Sequence, residues 1–349
     1  MTVEQKKQAF EKLGIILREA GETKDVKTSD PYVQNLKDLA STVYTYNAWF
    51  TEENCLYAYR SLGNALTQAN LDIWLSKYEL KTPAPKNIGL IMAGNIPLVG
   101  FHDMLCILMS GHNLIAKASS EDKHLPKLIA AILIALEPGF KEKIHFAEGQ
   151  LKTIDGIIAT GSNNSSRYFE YYFGKYPHII RKNRNSIAVL TGAETDEELK
   201  LLGDDIFQYF GLGCRNVSKV FVPRGYNFDF IFKAIFNKQT LLQHNKYANN
   251  YEYNKTVYLM HGYNLLENGF LLLKEDIGLA SPVAVLYYEY YDTETELNER
   301  LHMDAPHIQC TVSKLKSIKH PCAFGQTQQP QLWDYADGID TLKFLQDSW

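Results

Sequence analysis

From residue 5 to about residue 80 the apolar positions fall at helical spacing. Phe10, Leu13, Ile16 and Leu17 share one face at i, i+3, i+4, and the same period predicts helices over residues 32–44, 52–66 and 71–78. Lys81-Thr82-Pro83-Ala84-Pro85 interrupts either kind of element, because proline lacks the backbone donor that helix and central strand both need. Beyond it the pattern becomes short apolar runs alternating with helices. Residues 88–93 read as a buried strand, Gly94-Asn95 as a turn, and residues 97–110 as a helix opened by Pro97 and closed by Gly111. Strands over 114–118 and 156–160 enclose a helix over 125–136. Gly161-Ser162-Asn163-Asn164-Ser165-Ser166 then leads into a helix ending near Phe173. After a strand over 187–191 the alternation restarts, with helices over 194–210 and 228–246 and strands over 217–222, 282–288 and 307–312. Residues 245–254 (NKYANNYEYN) read as an irregular, polar, Tyr-rich surface loop. Alternation of this kind predicts an α/β fold with mostly parallel sheets. The expected divisions are 1–186, 187–322 and a C-terminal segment 323–349.

Composition narrows the function classes. Lys and Arg number 36 against 40 Asp and Glu, a balance that gives nucleic acid no broad basic footprint. The five cysteines (Cys55, Cys106, Cys214, Cys310, Cys322) are odd in number and contain no CxxC pair, which fits a reducing compartment better than a disulfide framework or zinc site. The charged N-terminus differs from a signal peptide, and the uncharged stretch over 87–101 is broken by Gly94, Asn95 and Pro97, so no membrane span is expected. A cytoplasmic location is the expectation.

Chemistry concentrates at a few turns. Cys214 comes after Gly211-Leu212-Gly213, which leaves little bulk on one side of its thiol, and Arg215 beside it suits a thiolate, the form that attacks carbonyl carbon. A half-buried structural cysteine fits the same spacing, and the other four cysteines read as packing. Asn95 comes after a buried strand, where open α/β sheets place ligands. Its amide suits an oxyanion, or a left-handed turn or helix cap. Gly161-Ser162 offers backbone donors and a helix N-terminus to a phosphate, although such turns also occur without ligands. Lys117 suits phosphate or ribose, or simply solvent. His102 and His124 read as helix-surface or core residues, and no metal site is expected.

In colinear order these pieces resemble the aldehyde dehydrogenase superfamily and, within it, the LuxC-type acyl-CoA reductases. Met92-Ala93-Gly94-Asn95-Ile96-Pro97 resembles the oxyanion segment, Asn113-Leu114-Ile115-Ala116-Lys117 the strand ending in the cofactor lysine, and Ala159-Thr160-Gly161-Ser162 the turn beside the dinucleotide phosphates. Gly211-Leu212-Gly213-Cys214 resembles the nucleophile segment. Lys274-Glu275-Asp276 resembles the segment whose glutamate holds the nicotinamide ribose, and Pro321-Cys322-Ala323-Phe324-Gly325 the late segment near the substrate mouth. The resemblance implies a Rossmann-like dinucleotide-binding domain and an α/β catalytic domain, preceded by a helical N-terminal region. It implies Cys214 and Asn95 as catalytic residues, with Lys117, Ser120, Gly161, Ser162 and Glu275 at the cofactor.

The departures refine that expectation. Hydrolytic members keep a general-base glutamate where this chain reads Arg181-Lys182-Asn183-Arg184, which favours acyl transfer over hydrolysis. Three residues after the lysine, where NAD-preferring members tend to keep a glutamate, stands Ser120, with Glu121 next, which favours NADPH over NADH. Ser166 replaces the second glycine of the phosphate turn. The expected activity is therefore reduction of an acyl-CoA or acyl-carrier-protein thioester to the aldehyde, with CoA as leaving group. The alternatives are acyl-phosphate reduction aided by Arg181, Arg184 and Arg215, or a non-catalytic scaffold. The resemblance also implies a homo-oligomer and an acyl-protein synthetase partner. Pro83-Ala84-Pro85 stands just before the first matched strand, and the superfamily's usual oligomerisation hairpin is expected to be reduced or rebuilt.

Overall fold

A computed structural model describes residues 1–22, 29–80 and 84–349, the side chain of Asn163 excepted. Lys81, Thr82 and Pro83 of the proline-rich break lie outside the described residues. The chain forms two compact units, Met1–Asn183 with Gln329–Trp349, and Arg184–Gln328.

In the first unit, α1 (Val3–Gly21), α2 (Pro31–Thr42), α3 (Glu52–Ala65) and α4 (Gln68–Leu75) bury the apolar faces seen in the sequence, including Phe10, Leu13, Leu17, Tyr59 and Trp74. Each begins where a side chain takes up an orphan backbone donor. Thr2 and Gln5 form a capping box, and Asp30, Thr51 and Thr67 cap the next three. The chain continues through β1 (Asn87–Ile91), α5 (Phe101–Ser110), β2 (Asn113–Lys117), α6 (Leu125–Leu136), β3 (Ile144–Phe146), β4 (Gly156–Thr160), α7 (Asn163–Phe173) and β5 (His178–Arg181). The sheet is parallel in the order β3-β2-β1-β4-β5. Connections after β1 run to one side and β4 lies on its other side, so the sheet has a topological switch point between β1 and β4.

The second unit contains β6 (Asn185–Val189), α8 (Asp196–Phe207), β7 (Val217–Pro223), α9 (Asp229–Ala234), α10 (Asn245–Met260), β8 (Leu265–Glu267), β9 (Leu272–Glu275), β10 (Val285–Tyr291), α11 (Glu294–Asp304) and β11 (Ile308–Ser313). Its sheet order is β11-β6-β7-β10-β9-β8, parallel except for β8 against β9. The last segment returns to the first unit, where α12 (Thr341–Asp347) ends the chain and Trp74 Nε1 donates to Tyr335 Oη at 2.6 Å. Both units are mixed α/β with parallel sheets, the fold class expected.

Several elements differ from the sequence expectation. The stretch expected as a Tyr-rich loop is α10. His244 caps it by accepting from Tyr247 N, and Tyr247, Tyr251 and Asn254 form a buried stripe at i, i+4, i+7. Residues 228–246 are not one helix, since α9 stops at Ala234 and a 3-10 stretch succeeds it (Phe236–Gln243). α5 begins at Phe101 rather than Pro97, because Leu98 takes a left-handed backbone (φ 58°) that no α-helix admits. β3, β5, β8 and β9, none longer than four residues, lack a sequence signal of their own. Gly111 does close α5 in the left-handed conformation (φ 91°).

Candidate active site

In the first unit the relevant turns leave the C-terminal ends of β1, β2 and β4. Ile91 pairs with Lys117 on one side and Ala159 on the other, so Asn95, Lys117 and Gly161-Ser162 emerge at one edge of the sheet, around its switch point. That edge is where open α/β sheets bind ligands. Asn95, Lys117 and Ser162 are exposed, and Ser120 and Gly161 line the same turns.

The Asn95 turn is braced from its base. A Cβ on Gly94 would lie 2.6 Å from Ser119 Oγ, so only glycine lets the turns after β1 and β2 touch. Asn47 reaches from its side-chain amide to the carbonyls of Gly94 and Glu121 (3.5 and 3.4 Å). The buried Asp122 accepts from Leu98 N at 2.8 Å, holding the left-handed residue in place. Burial pushes the Asp122 carboxyl up to about 7, against the backbone bonds from Leu98 and Leu125 that favour the ionised form. Cys55 and Tyr59 on α3 sense its charge.

A carboxyl raised on folding contributes stability that is complete below about pH 4 and lost as pH rises through about 7. Between pH 5 and pH 8 the wild-type chain is expected to lose on the order of 2 kcal/mol more than Asp122→Asn. Urea melts of both proteins at the two pH values check this, and parallel pH profiles would remove Asp122 as the cause.

Gly161 and Ser162 shape the β4–α7 junction. A Cβ on Gly161 would lie 2.8 Å from the Phe169 ring and 2.9 Å from Ser165 Cβ, so the glycine lets α7 close against the strand end. Ser162 Oγ caps α7 by accepting from Ser165 N at 3.2 Å. Ser166 is buried in the first turn, its N–H bonded to Ser162 O at 2.8 Å.

In the second unit Cys214 is exposed, whereas Cys55 and Cys106 are buried and Cys310 and Cys322 half-buried. Its segment starts from three successive left-handed residues, Tyr209 (φ 53°), Phe210 (φ 58°) and Gly211 (φ 77°). Left-handed backbone at non-glycine residues persists only where surroundings over-determine it. Here the Phe210 ring packs on His244 with centroids 4.4 Å apart. Buried Asn216 donates from Nδ2 to the carbonyls of Asp205 (3.1 Å) and Gln208 (2.9 Å) and accepts from Gly213 N at 2.8 Å. The last turn of α8 is thereby tied to the residue before Cys214. Asp205, buried and pushed up to about 6 by that burial, accepts from Gly325 N (2.7 Å) and Thr327 N (3.0 Å). Ser186 Oγ donates to the Cys214 carbonyl at 3.0 Å.

Asn216, Asp205 and Ser186 brace the Cys214 turn, and sequence reasoning missed all three. Asp205 carries one signal, a carboxylate on the apolar face of α8 between Leu202 and Ile206. Glu275, at the C-terminal end of β9, is exposed and pairs in register with Tyr288. Its neighbour Lys274 is buried, ion-paired with Asp276, with its ammonium 4.3 Å from the Tyr263 ring centre.

Arg181 has a different setting from the one expected for a phosphate ligand. It is buried, ion-paired with Asp103, and donates to Thr341 Oγ1 at 2.9 Å. His102 bonds the Leu332 carbonyl at 2.8 Å. Among the described residues no cluster of three or more His, Cys, Asp or Glu is placed to hold a metal, and no helix is long and apolar enough to cross a membrane.

A family model described as Acyl-CoA reductase (LuxC) matches residues 22–230. No curated protein sequence matches. Similar solved structures include aldehyde dehydrogenase 21 from Physcomitrella patens in complex with the reaction product succinate, 12% identical, covering all of this chain and 84% of that one, with a TM-score of 0.69. Indole-3-acetaldehyde dehydrogenase AldA of P. syringae, solved with NAD+, is 12% identical over 91% of this chain and 73% of its own (TM-score 0.64). An acetylating aldehyde dehydrogenase from Geobacillus thermoglucosidasius is 13% identical over 91% and 77% (TM-score 0.58). At these identities the structures establish a shared fold.

Proposed function

The chain belongs to the LuxC family of acyl-CoA reductases, and from that premise we propose that it reduces a fatty acyl-CoA thioester to the aldehyde with NADPH, through a covalent intermediate on Cys214. The observation that carries this reading is the Cys214 thiol, the exposed one of five, on a turn locked by Asn216.

The Cys214 thiolate attacks the thioester carbonyl carbon. The Asn95 amide donates to the oxyanion, an interaction that grows as charge develops. CoA leaves as thiolate, and the acyl group is held as a thioester on Cys214. NADPH, when bound, supplies the hydride that reduces this acyl carbon. Cys214 is the final leaving group, its carbon–sulfur bond breaking as aldehyde forms. Lys117, Gly161, Ser162 and Glu275 would hold the cofactor. The donor set at the sheet edge suits it, with an ammonium and hydroxyls at a switch point and a capped helix N-terminus. The Ser120 hydroxyl, on the turn after Lys117, supports a 2′-phosphate there.

The Arg181–Asp103 pair bears on the acyl group's fate. Where hydrolytic relatives by resemblance keep a base, this chain has a guanidinium already neutralised by its own carboxylate. Water then lacks an activating base at that position, and the thioester persists for reduction. The same pairing withdraws Arg181 from an acyl-phosphate pocket. An acyl-carrier-protein donor, an acyl-protein synthetase partner and a homo-oligomeric assembly belong to the same reading.

The test is reduced-cofactor oxidation monitored by absorbance, with palmitoyl-CoA, octanoyl-CoA and an acyl phosphate as donors. Oxidation is expected with the thioesters, and faster with NADPH than NADH by about tenfold, the worth of one good charge contact. Oxidation with acyl phosphate but neither thioester would overturn the proposal.

A further inference from the structure

Cys310 and Cys322, expected from sequence to be packing residues, are both half-buried and are brought onto neighbouring stretches of backbone by a bridge beside β11. β11 is an edge strand, and Cys322 lies along its open side. Val312 bridges in parallel to Cys322, and Cys322 N donates to Thr311 O at 2.8 Å. The two backbones are thus held together by main-chain bonds, independent of the sulfurs.

The thiols are unequal. The interaction with Cys322, helped by the Arg215 charge, brings Cys310 down to about 7 despite burial, while Cys322 is pushed up. One thiol able to ionise near neutrality beside one that keeps its proton is the arrangement of a reactive dithiol. Cys310 is also linked to the Cys214 segment through Ser186. Ser186 Oγ lies 2.9 Å from Cys310 Sγ, accepts from Cys310 N at 3.2 Å, and donates to the Cys214 carbonyl at 3.0 Å.

We propose that Cys310 and Cys322 form a reversible disulfide, a modification site distinct from the acyl-accepting thiol, whose closure alters the reactivity of Cys214 through Ser186. The effect on turnover rests on the reductase reading; the disulfide does not. The oxidant is a small-molecule disulfide such as oxidised glutathione. The Cys310 thiolate attacks one of its sulfurs, forming a mixed disulfide and releasing one glutathione thiolate. Cys322, losing its proton, attacks the Cys310 sulfur and releases the second. Two cysteine thiols are oxidised by two electrons and one small disulfide is reduced to two thiols.

The test equilibrates the full-length protein in glutathione buffers of rising oxidised fraction, then applies acid quench, alkylation and tryptic mass mapping. Wild type is expected to yield peptide 301–314 joined to 320–343, and reduced glutathione should dissolve the link. Cys322→Ser should instead trap glutathione on Cys310. No joined peptide even in fully oxidised buffer would overturn the pairing. The rate of iodoacetamide reaction at unmodified Cys214 is read in the same digests. It should change by about threefold or more on oxidation in wild type, and not in Cys322→Ser. An equal rate in both redox forms would overturn the coupling. A protein inactive with every acyl donor would count against the reductase reading while leaving both of these readouts decisive.

Discussion

Cys214→Ala is expected to lose acyl-dependent NADPH oxidation by at least about 1000-fold, since removing the member of a catalytic unit that carries the covalent bond leaves only the contribution of binding and polarisation. The loss should fall on kcat. The substitution deletes one exposed sulfur and leaves the turn's supports in place: the Asn216 bonds to Asp205, Gln208 and Gly213, and the Ser186 bond to the residue-214 carbonyl. Thermal stability should therefore stay within about 0.5 kcal/mol of wild type, as for exposed substitutions generally. Intact mass after incubation with palmitoyl-CoA and no reduced cofactor supplies a second readout. Wild type should gain one palmitoyl group, and Cys214→Ala none. Should the variant retain activity within tenfold of wild type, or still acylate, the nucleophile lies elsewhere, and Cys310, the thiol brought down toward neutrality, would be the next residue to replace.

How far such chemistry is readable from sequence depends on the distance over which each signal acts. The turns after β1, β2 and β4 are legible because their residues are contiguous: an apolar run, a break, then an exposed polar or cationic side chain. Parallel pairing then brings three such turns together without further information, since Ile91 is in register with both Lys117 and Ala159. The supports are not legible. Asp122 holds Leu98 across 24 positions, and Ser186 reaches Cys214 across 28. Nothing in a local window distinguishes either from an ordinary polar residue.

The same physics explains the differences in the elements. α10 hides from a hydrophobicity pattern because its buried stripe is Tyr247, Tyr251 and Asn254, residues that such a pattern scores as polar. Their hydroxyl and amide groups find partners in Phe270 O, Glu267 and Val283 O, so they can be buried. The Pro97 start of α5 is a sound local expectation overridden by tertiary structure, since Asp122 selects a left-handed Leu98 that delays the helix to Phe101. The Cys310–Cys322 pair is invisible for a third reason. No motif joins the two, and only the bridge from Val312 makes them neighbours.

Asn95→Ala carries the second large expected effect. One oxyanion donor is worth about 100- to 1000-fold in turnover when the acceptor's charge develops in the transition state. Two features make the variant a clean test. Asn95 is exposed, so its loss leaves no core cavity. The shape of its turn is set by neighbours that remain, the Gly94 contact with Ser119 and the Asp122 bond to Leu98. The deficit should therefore lie in acylation, read as a slower burst of CoA release in a single-turnover experiment, while NADPH binding monitored by fluorescence changes by less than about twofold. Asn95→Asp should be at least as slow above about pH 5, because a carboxylate there repels the oxyanion that the amide would have stabilised. Wild-type burst rates in Asn95→Ala would remove the amide from the acyl-transfer step. Weakened NADPH binding with an unchanged burst would move Asn95 to the cofactor instead, as one more ligand at the switch point between β1 and β4.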